Sequence, residues 1–247
     1  MSGGLGEGAP ALFRVASRAV TAAGDLLRDR RVAPSILASD FARLGDQVRE
    51  VMDAGARVIH CDVMDGHFVP PITLGPLVVG ALADQVHDAG GMLDVHLMID
   101  RPERQIAEFA KAGADSITSH FEATPHVHYA VKATHEAGCL AGVAITPSTP
   151  AEAVGEVAGE VEIVLCMTVN PGWGGQPFIP SAPAKVERLR ARLQPGVALE
   201  VDGGIDEETA PNCAAAGARL FVAGTSVFGD PEPGEAYTRV ARSVSAV

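Results

Sequence analysis

Met92-Leu93-Asp94-Val95-His96-Leu97-Met98 is an apolar run broken only by Asp94 and His96, and the helix-periodic stretch 101–112 follows it before Gly113. A run apolar on both faces marks a parallel strand buried under helices. A glycine just past a periodic stretch marks a left-handed helix stop. The same strand-then-helix unit recurs in type along the chain. Strands are predicted at 32–37, 57–64, 92–98, 116–120, 140–146, 162–168, 198–202 and 220–223. Helices are predicted at 40–54, 75–88, 101–112, 126–137, 149–158, 180–193, 207–216 and 232–244. Eight such units over residues 31–247 predict a single (β/α)8 TIM barrel, because an open doubly wound sheet rarely keeps so strict an alternation. Pro211 falls inside the seventh helix and predicts a late start there.

Composition narrows the function. Of 247 residues, 47% are hydrophobic and 20% charged, and 31 acidic against 19 basic side chains give a formal charge of −12. That balance argues against nucleic acid as a partner, which demands clustered Lys and Arg. No uninterrupted apolar window is long enough to predict a membrane span. Cys61, Cys139, Cys166 and Cys213 are far apart, show no CxxC spacing, and read as small buried residues of a reducing, cytoplasmic compartment. Residues 1–30 form an N-terminal extension that begins Gly-rich and disordered. It continues with Leu12, Val15, Ala19, Ala23 and Leu26 at the spacing of one amphipathic helix. Arg14 and Arg18 interrupt the only apolar stretch that resembles a secretory signal.

In a TIM barrel, function sits at the C-terminal ends of the strands. Strand two carries His60 and Asp62 at i, i+2, on one face. Strand three carries His96, and strand seven ends in Asp202-Gly203-Gly204. His60, Asp62, His96 and Asp202 make a two-nitrogen, two-oxygen set suited to one divalent metal ion per chain. Zinc suits it best, with iron, manganese or cobalt as alternatives. Singly, each is a hydrogen-bonded core histidine or a helix cap; four at neighbouring strand ends point to a site. The loop Asn170-Pro171-Gly172-Trp173-Gly174-Gly175-Gln176 follows strand six, and Gly224-Thr225-Ser226 follows strand eight. With Gly203 and Gly204, these loops read as a phosphate cradle of backbone N–H groups, helped by the Thr225 or Ser226 hydroxyl. Neither a Walker nor a dinucleotide fingerprint is present. Strands two and seven lie three ring positions apart, roughly 135° around the barrel. Asp62 and Asp202 so placed reach opposite faces of one substrate carbon.

These residues closely resemble the ribulose-phosphate 3-epimerase family. The likeness is carried by Pro34-Ser35-Ile36-Leu37, the run from His60-Cys61-Asp62-Val63-Met64-Asp65-Gly66 to Pro70, Asp94-Val95-His96-Leu97-Met98, the loop from Val169 to Gln176, and Val201-Asp202-Gly203-Gly204. It runs in order from about residue 32 to 230. The resemblance implies a barrel of the ribulose-phosphate-binding type and interconversion of D-ribulose 5-phosphate and D-xylulose 5-phosphate, a step of the pentose phosphate pathway. It implies metal ligation by His60, Asp62, His96 and Asp202, with Asp62 and Asp202 doubling as the acid–base pair. Ser35 and His96 would touch the sugar. Gly172, Trp173, Gly174, Gly175, Gly203, Gly204, Gly224 and Thr225 would bind the phosphate or close over it. Met64, Met98 and Met167 match methionines beneath the family's site, though ordinary core filling explains them equally well. The partners implied are a small phosphorylated ketose and further copies of the chain, as a dimer or hexamer.

Departures are few: Pro71 stands where Asn is usual, Thr146 lies in an altered strand-five loop, and Trp173 replaces the commoner Phe. The first two lie near the mouth and keep a hexulose phosphate such as allulose 6-phosphate open as an alternative substrate. A lyase of the related barrel group would carry a Lys where His96 stands. A catalytically silent scaffold would have no physical need to keep both carboxylates beside two histidines.

Overall fold

Branched apolar side chains on both faces of each strand leave a sheet that only a surrounding layer of helices can cover. The computed structural model describes residues 23–245 and shows that arrangement. Its strands are β1 (Arg31–Pro34), β2 (Val58–Met64), β3 (Met92–Met98), β4 (Ser116–His120), β5 (Leu140–Ile145), β6 (Ile163–Met167), β7 (Ala198–Asp202) and β8 (Leu220–Ala223). All ladders are parallel, in the order β1-β8-β7-β6-β5-β4-β3-β2. A parallel bridge from Ser35 to His60 brings the two ends of that order together, so the sheet is a nearly closed (β/α)8 barrel of the TIM type. Every strand residue but Arg31 and Asp202 is buried.

The covering helices are α1 (Leu44–Asp53), α2 (Pro76–Asp88), α3 (Ile106–Ala112), α4 (Val127–Glu136), α5 (Ala182–Arg190), α6 (Ala210–Ala215), α7 (Thr225–Phe228) and α8 (Pro233–Ser245). Gly113 ends α3 in the left-handed region at φ 108°, as its position after the periodic stretch required. Pro211 lies in the first turn of α6, the late start that its missing N–H demanded.

Three segments differ from expectation. The fifth helix shrinks to a short 3-10 helix, Ala151–Val154, followed only by turns of the i, i+3 kind at Val157 and Glu160. Strand one stops at Pro34, and Ile36–Ala38 turn as a 3-10 helix whose first turn is capped by the Ser35 hydroxyl. Helix α7 follows β8 directly and was not expected. Of the extension helix predicted over Leu12 to Leu26, the part before residue 23 lies outside the described residues. Residues 23–26 are helical, and Ala23 and Leu27 pack against Val58, Met92, Leu140, Ile163, Ala198 and Leu220 to seal the barrel floor. The four cysteines are free and buried, as composition implied. No helix among the described residues is long and apolar enough to cross a membrane.

Candidate active site

Parallel register decides which polar side chains share the barrel interior. His60 pairs with Asp94 and Asp62 with His96 across β2 and β3, so alternation turns all four inward. Asp202, paired with Met167 and Val222, brings a carboxylate from the far side of the ring. One ligating atom from each of His60, Asp62, His96 and Asp202 lies within 4.8 Å of all the others. His96 Nδ1 is 3.0 Å from Asp62 Oδ1 and 3.6 Å from Asp202 Oδ2, and His60 Nε2 is 3.3 Å from Asp62 Oδ1.

Identical carboxylates here have opposite electrostatics. Burial pushes the Asp62 carboxyl up, but His60 and His96 outweigh it and hold it well below the usual carboxylate range. Burial pushes Asp202 up to about 8, with the charge of Asp62 adding to the rise. Burial also pulls the His96 imidazole down to about 4, so the ring is neutral at physiological pH. The carboxylates of Asp62 and Asp202 converge beside a neutral imidazole. The His60 ring, pulled down by burial but raised well above its usual range by Asp62, Asp94 and Glu200, holds a proton where a divalent cation would put its charge. The donor set fits such an ion.

Sequence reading missed a second layer behind these four. His60 Nδ1–H donates to Asp94 Oδ2 at 2.7 Å, which aims Nε2 at Asp62, and Asp94 also accepts from the Ser116 hydroxyl at 2.5 Å. Glu200 lies beside them, 3.6 Å from His60 Nδ1; burial and then the Asp94 charge push it up to about 8. On β4, His120 Nε2 is 2.9 Å from His96 Nε2, and its Nδ1 is 3.1 Å from Glu122 Oε2. The signal was available: His120 and Glu122 repeat the i, i+2 spacing of His60 and Asp62 at a strand end.

Above the cluster opens a cavity of about 320 Å³. Its lining includes Ser35, Asp62, Met64, Met98, Met167 and Asp202, with Gly172 to Gly175, Gly203, Gly204, Gly224 and Thr225 on the loops. The Ser35 hydroxyl donates to Asp62 Oδ2 at 2.6 Å. His60 and His96 are fully buried and lie outside the lining, His96 between Asp62 and His120. The Ser226 hydroxyl donates to the Ile205 carbonyl at 2.7 Å, which leaves Thr225 as the hydroxyl free to face a ligand. Gly204, at φ 66°, lets the β7 loop pass so close to Phe178 that a Cβ would sit 2.8 Å from its backbone N. Gln176 Nε2 donates to the Asn170 and Trp173 carbonyls and ties the β6 loop to itself, while Trp173 stands 54% exposed at its crest.

A ribulose-phosphate 3 epimerase family model matches residues 31–228. The ribulose-phosphate 3-epimerase of Bacillus subtilis (strain 168) is 47% identical over 214 residues, covering 85% of this chain and 97% of its own. That of Rhodobacter capsulatus is 48% identical over 202 residues, covering 81% and 87%. Among solved structures, one of KGPDC from Streptococcus mutans superposes with a TM-score of 0.70 over 88% of this chain and 98% of its own. At 16% identity, it speaks for the fold alone.

Proposed function

Since the chain belongs to the ribulose-phosphate 3-epimerase family, and is by that membership an epimerase, we propose that it inverts C3 of D-ribulose 5-phosphate to give D-xylulose 5-phosphate. The reading rests on one observation: Asp62 and Asp202, from opposite sides of the ring, meet beside the same imidazole at the base of the cavity. His60, Asp62, His96 and Asp202 would hold a divalent cation, with zinc the first choice for two imidazoles and two carboxylates. When bound, that cation supplies Lewis-acid stabilisation of negative charge developing on the substrate.

The chain's own groups do the rest. The proton on C3 is acidified by the neighbouring C2 ketone, and one aspartate removes it from one face. The other aspartate returns a proton to the opposite face, which inverts the centre. Ser35 donates to Asp62 and fixes its carboxylate plane. The loops carrying Gly172 to Gly175, Gly203, Gly204, Gly224 and Thr225 hold the phosphate through backbone N–H groups, which suits an acidic protein binding a small anion. The β6 loop around Trp173 closes over the cavity and keeps water from the carbanionic intermediate.

The partner this reading gives the cavity is the phosphorylated ketose. Ile72, 80% exposed between β2 and α2, and Leu77, 91% exposed in the first turn of α2, support self-association as the second. The buried free thiols suit a reducing cytoplasm, and the pentose phosphate pathway is the setting this conversion serves. The deciding experiment compares kcat/KM on ribulose 5-phosphate and allulose 6-phosphate, with and without a chelator. Preference for the hexulose phosphate would move the substrate assignment, and full activity in the metal-stripped protein would remove the cation.

A further inference from the structure

His96 stands between two carboxylates that make opposite demands on it. Its Nδ1 faces Asp62 at 3.0 Å, and its Nε2 faces His120 Nε2 at 2.9 Å. Beyond it, His120 Nδ1 faces Glu122 Oε2 at 3.1 Å. Glu122 Oε1 is anchored separately, accepting from the Thr146 N–H at 2.8 Å and from the Thr149 hydroxyl. The two rings stack with centroids 5.0 Å apart, and Phe68 packs on His120 at 4.9 Å.

Neutral imidazole carries one N–H, so two rings supply two protons to three gaps: Asp62 to His96, His96 to His120, and His120 to Glu122. Left to Asp62 alone, a proton would settle on His96 Nδ1 and block the nitrogen that faces the ligand cluster. A carboxylate anchored at Glu122 accepts and never donates, so it draws the His120 proton to Nδ1. His120 Nε2 then has only a lone pair to offer, and the proton in the central gap must belong to His96 Nε2.

We propose that Glu122, acting through His120, is a positioning residue that fixes His96 as its Nε2–H tautomer and so presents the Nδ1 lone pair to the cation. The inference deepens the metal reading above and rests on it. His60 receives the equivalent service directly from Asp94, but His96 has no carboxylate within reach of its outer nitrogen and obtains one through a second ring. A carboxylate or carbonyl that holds the far nitrogen of a ligating histidine typically matters about ten- to a hundredfold in metal affinity.

Nitrogen-15 histidine spectra of the zinc-loaded protein test this first, in the wild type, where folding is not in question. His120 is expected to carry its proton on Nδ1 and His96 on Nε2. Zinc titration against a chromophoric chelator then compares wild type with Glu122→Gln, whose amide can donate as well as accept and so frees the tautomers. Affinity is expected to fall about ten- to a hundredfold, measured below the variant's own thermal midpoint, with Glu122→Asp recovering part of it. Wild-type protein that takes up no zinc overturns the metal reading and the relay together. A wild type that binds zinc with the His120 proton on Nε2, or a Glu122→Gln variant equal to it in affinity, overturns the relay alone.

Discussion

Asp202→Asn separates the two faces of the proposed inversion. The amide keeps the size of the carboxylate and an oxygen toward the cluster, yet it can neither take nor deliver a proton at working pH. Asp202 Oδ2 lies 3.6 Å from His96 Nδ1, the nitrogen that Asp62 Oδ1 approaches at 3.0 Å, so the substitution removes one of two carboxylates flanking a single point. Loss of a positioned acid–base group costs roughly 10²–10⁴ in rate, or about 3–5 kcal/mol of barrier. The assay starts from ribulose 5-phosphate and, separately, from xylulose 5-phosphate in D2O, following for each both the epimer formed and deuterium at C3 of the recovered sugar. Inversion should fall by that factor while Asp62 still exchanges the proton on its own face, so deuterium enters one epimer without crossing to the other. Zinc content, measured in parallel, separates a chemical defect from a loss of cation. Inversion within a few-fold of wild type would refute the two-carboxylate mechanism, and equal loss of exchange and inversion from both sugars would refute the division of faces.

Four other outcomes are expected. The purified protein should carry about one divalent cation per chain, measurable by elemental analysis, and its removal should abolish turnover until zinc is returned. Gly204→Ala should raise KM for the sugar phosphate and destabilise the fold by at least about 1 kcal/mol on chemical denaturation, since φ 66° and a Cβ 2.8 Å from Phe178 N are both unfavourable. Hydrogen bonds from His120, Thr149 and Thr146 outweigh burial and hold Glu122 at about 2. A depressed carboxyl contributes stability that is fully present above its unfolded value near 4.3 and lost as pH falls towards 2. The stability gap between wild type and Glu122→Gln, read from urea midpoints, should therefore be constant from pH 6 to about 5 and narrow below that. Finally, Trp173, the sole tryptophan, should change its fluorescence when sugar phosphate saturates the cavity, and an unaltered spectrum would place loop closure elsewhere.

Much of this molecule was readable before folding. Gly113 stopped α3 and Pro211 delayed α6 through local backbone chemistry that no tertiary contact alters. His60 and Asp62 declared themselves by spacing on a strand. The fifth helix, expected over 149–158, was overestimated: after Ala151–Val154 the chain goes on turning with i, i+3 bonds and does not settle into an α-helix. His120 and Glu122 went unread although their spacing repeats that of His60 and Asp62. Glu200 went unread in the same way: it stands two residues before Asp202 on β7, so strand alternation already turned it to the face of that aspartate.

By itself, the order of amino acids determined the alternation of strand and helix and the strand ends at which polar groups collect, because both follow from covalent spacing along a chain of fixed geometry. Only the tertiary structure decided that residues from β2, β3 and β7 converge within 4.8 Å, and that a single bridge from Ser35 to His60 joins the ends of the barrel. It also decided that Asp62 is held down while Asp202 is driven up. The two side chains are chemically the same, and the difference is the field of their neighbours, which exists only once the strands stand in register.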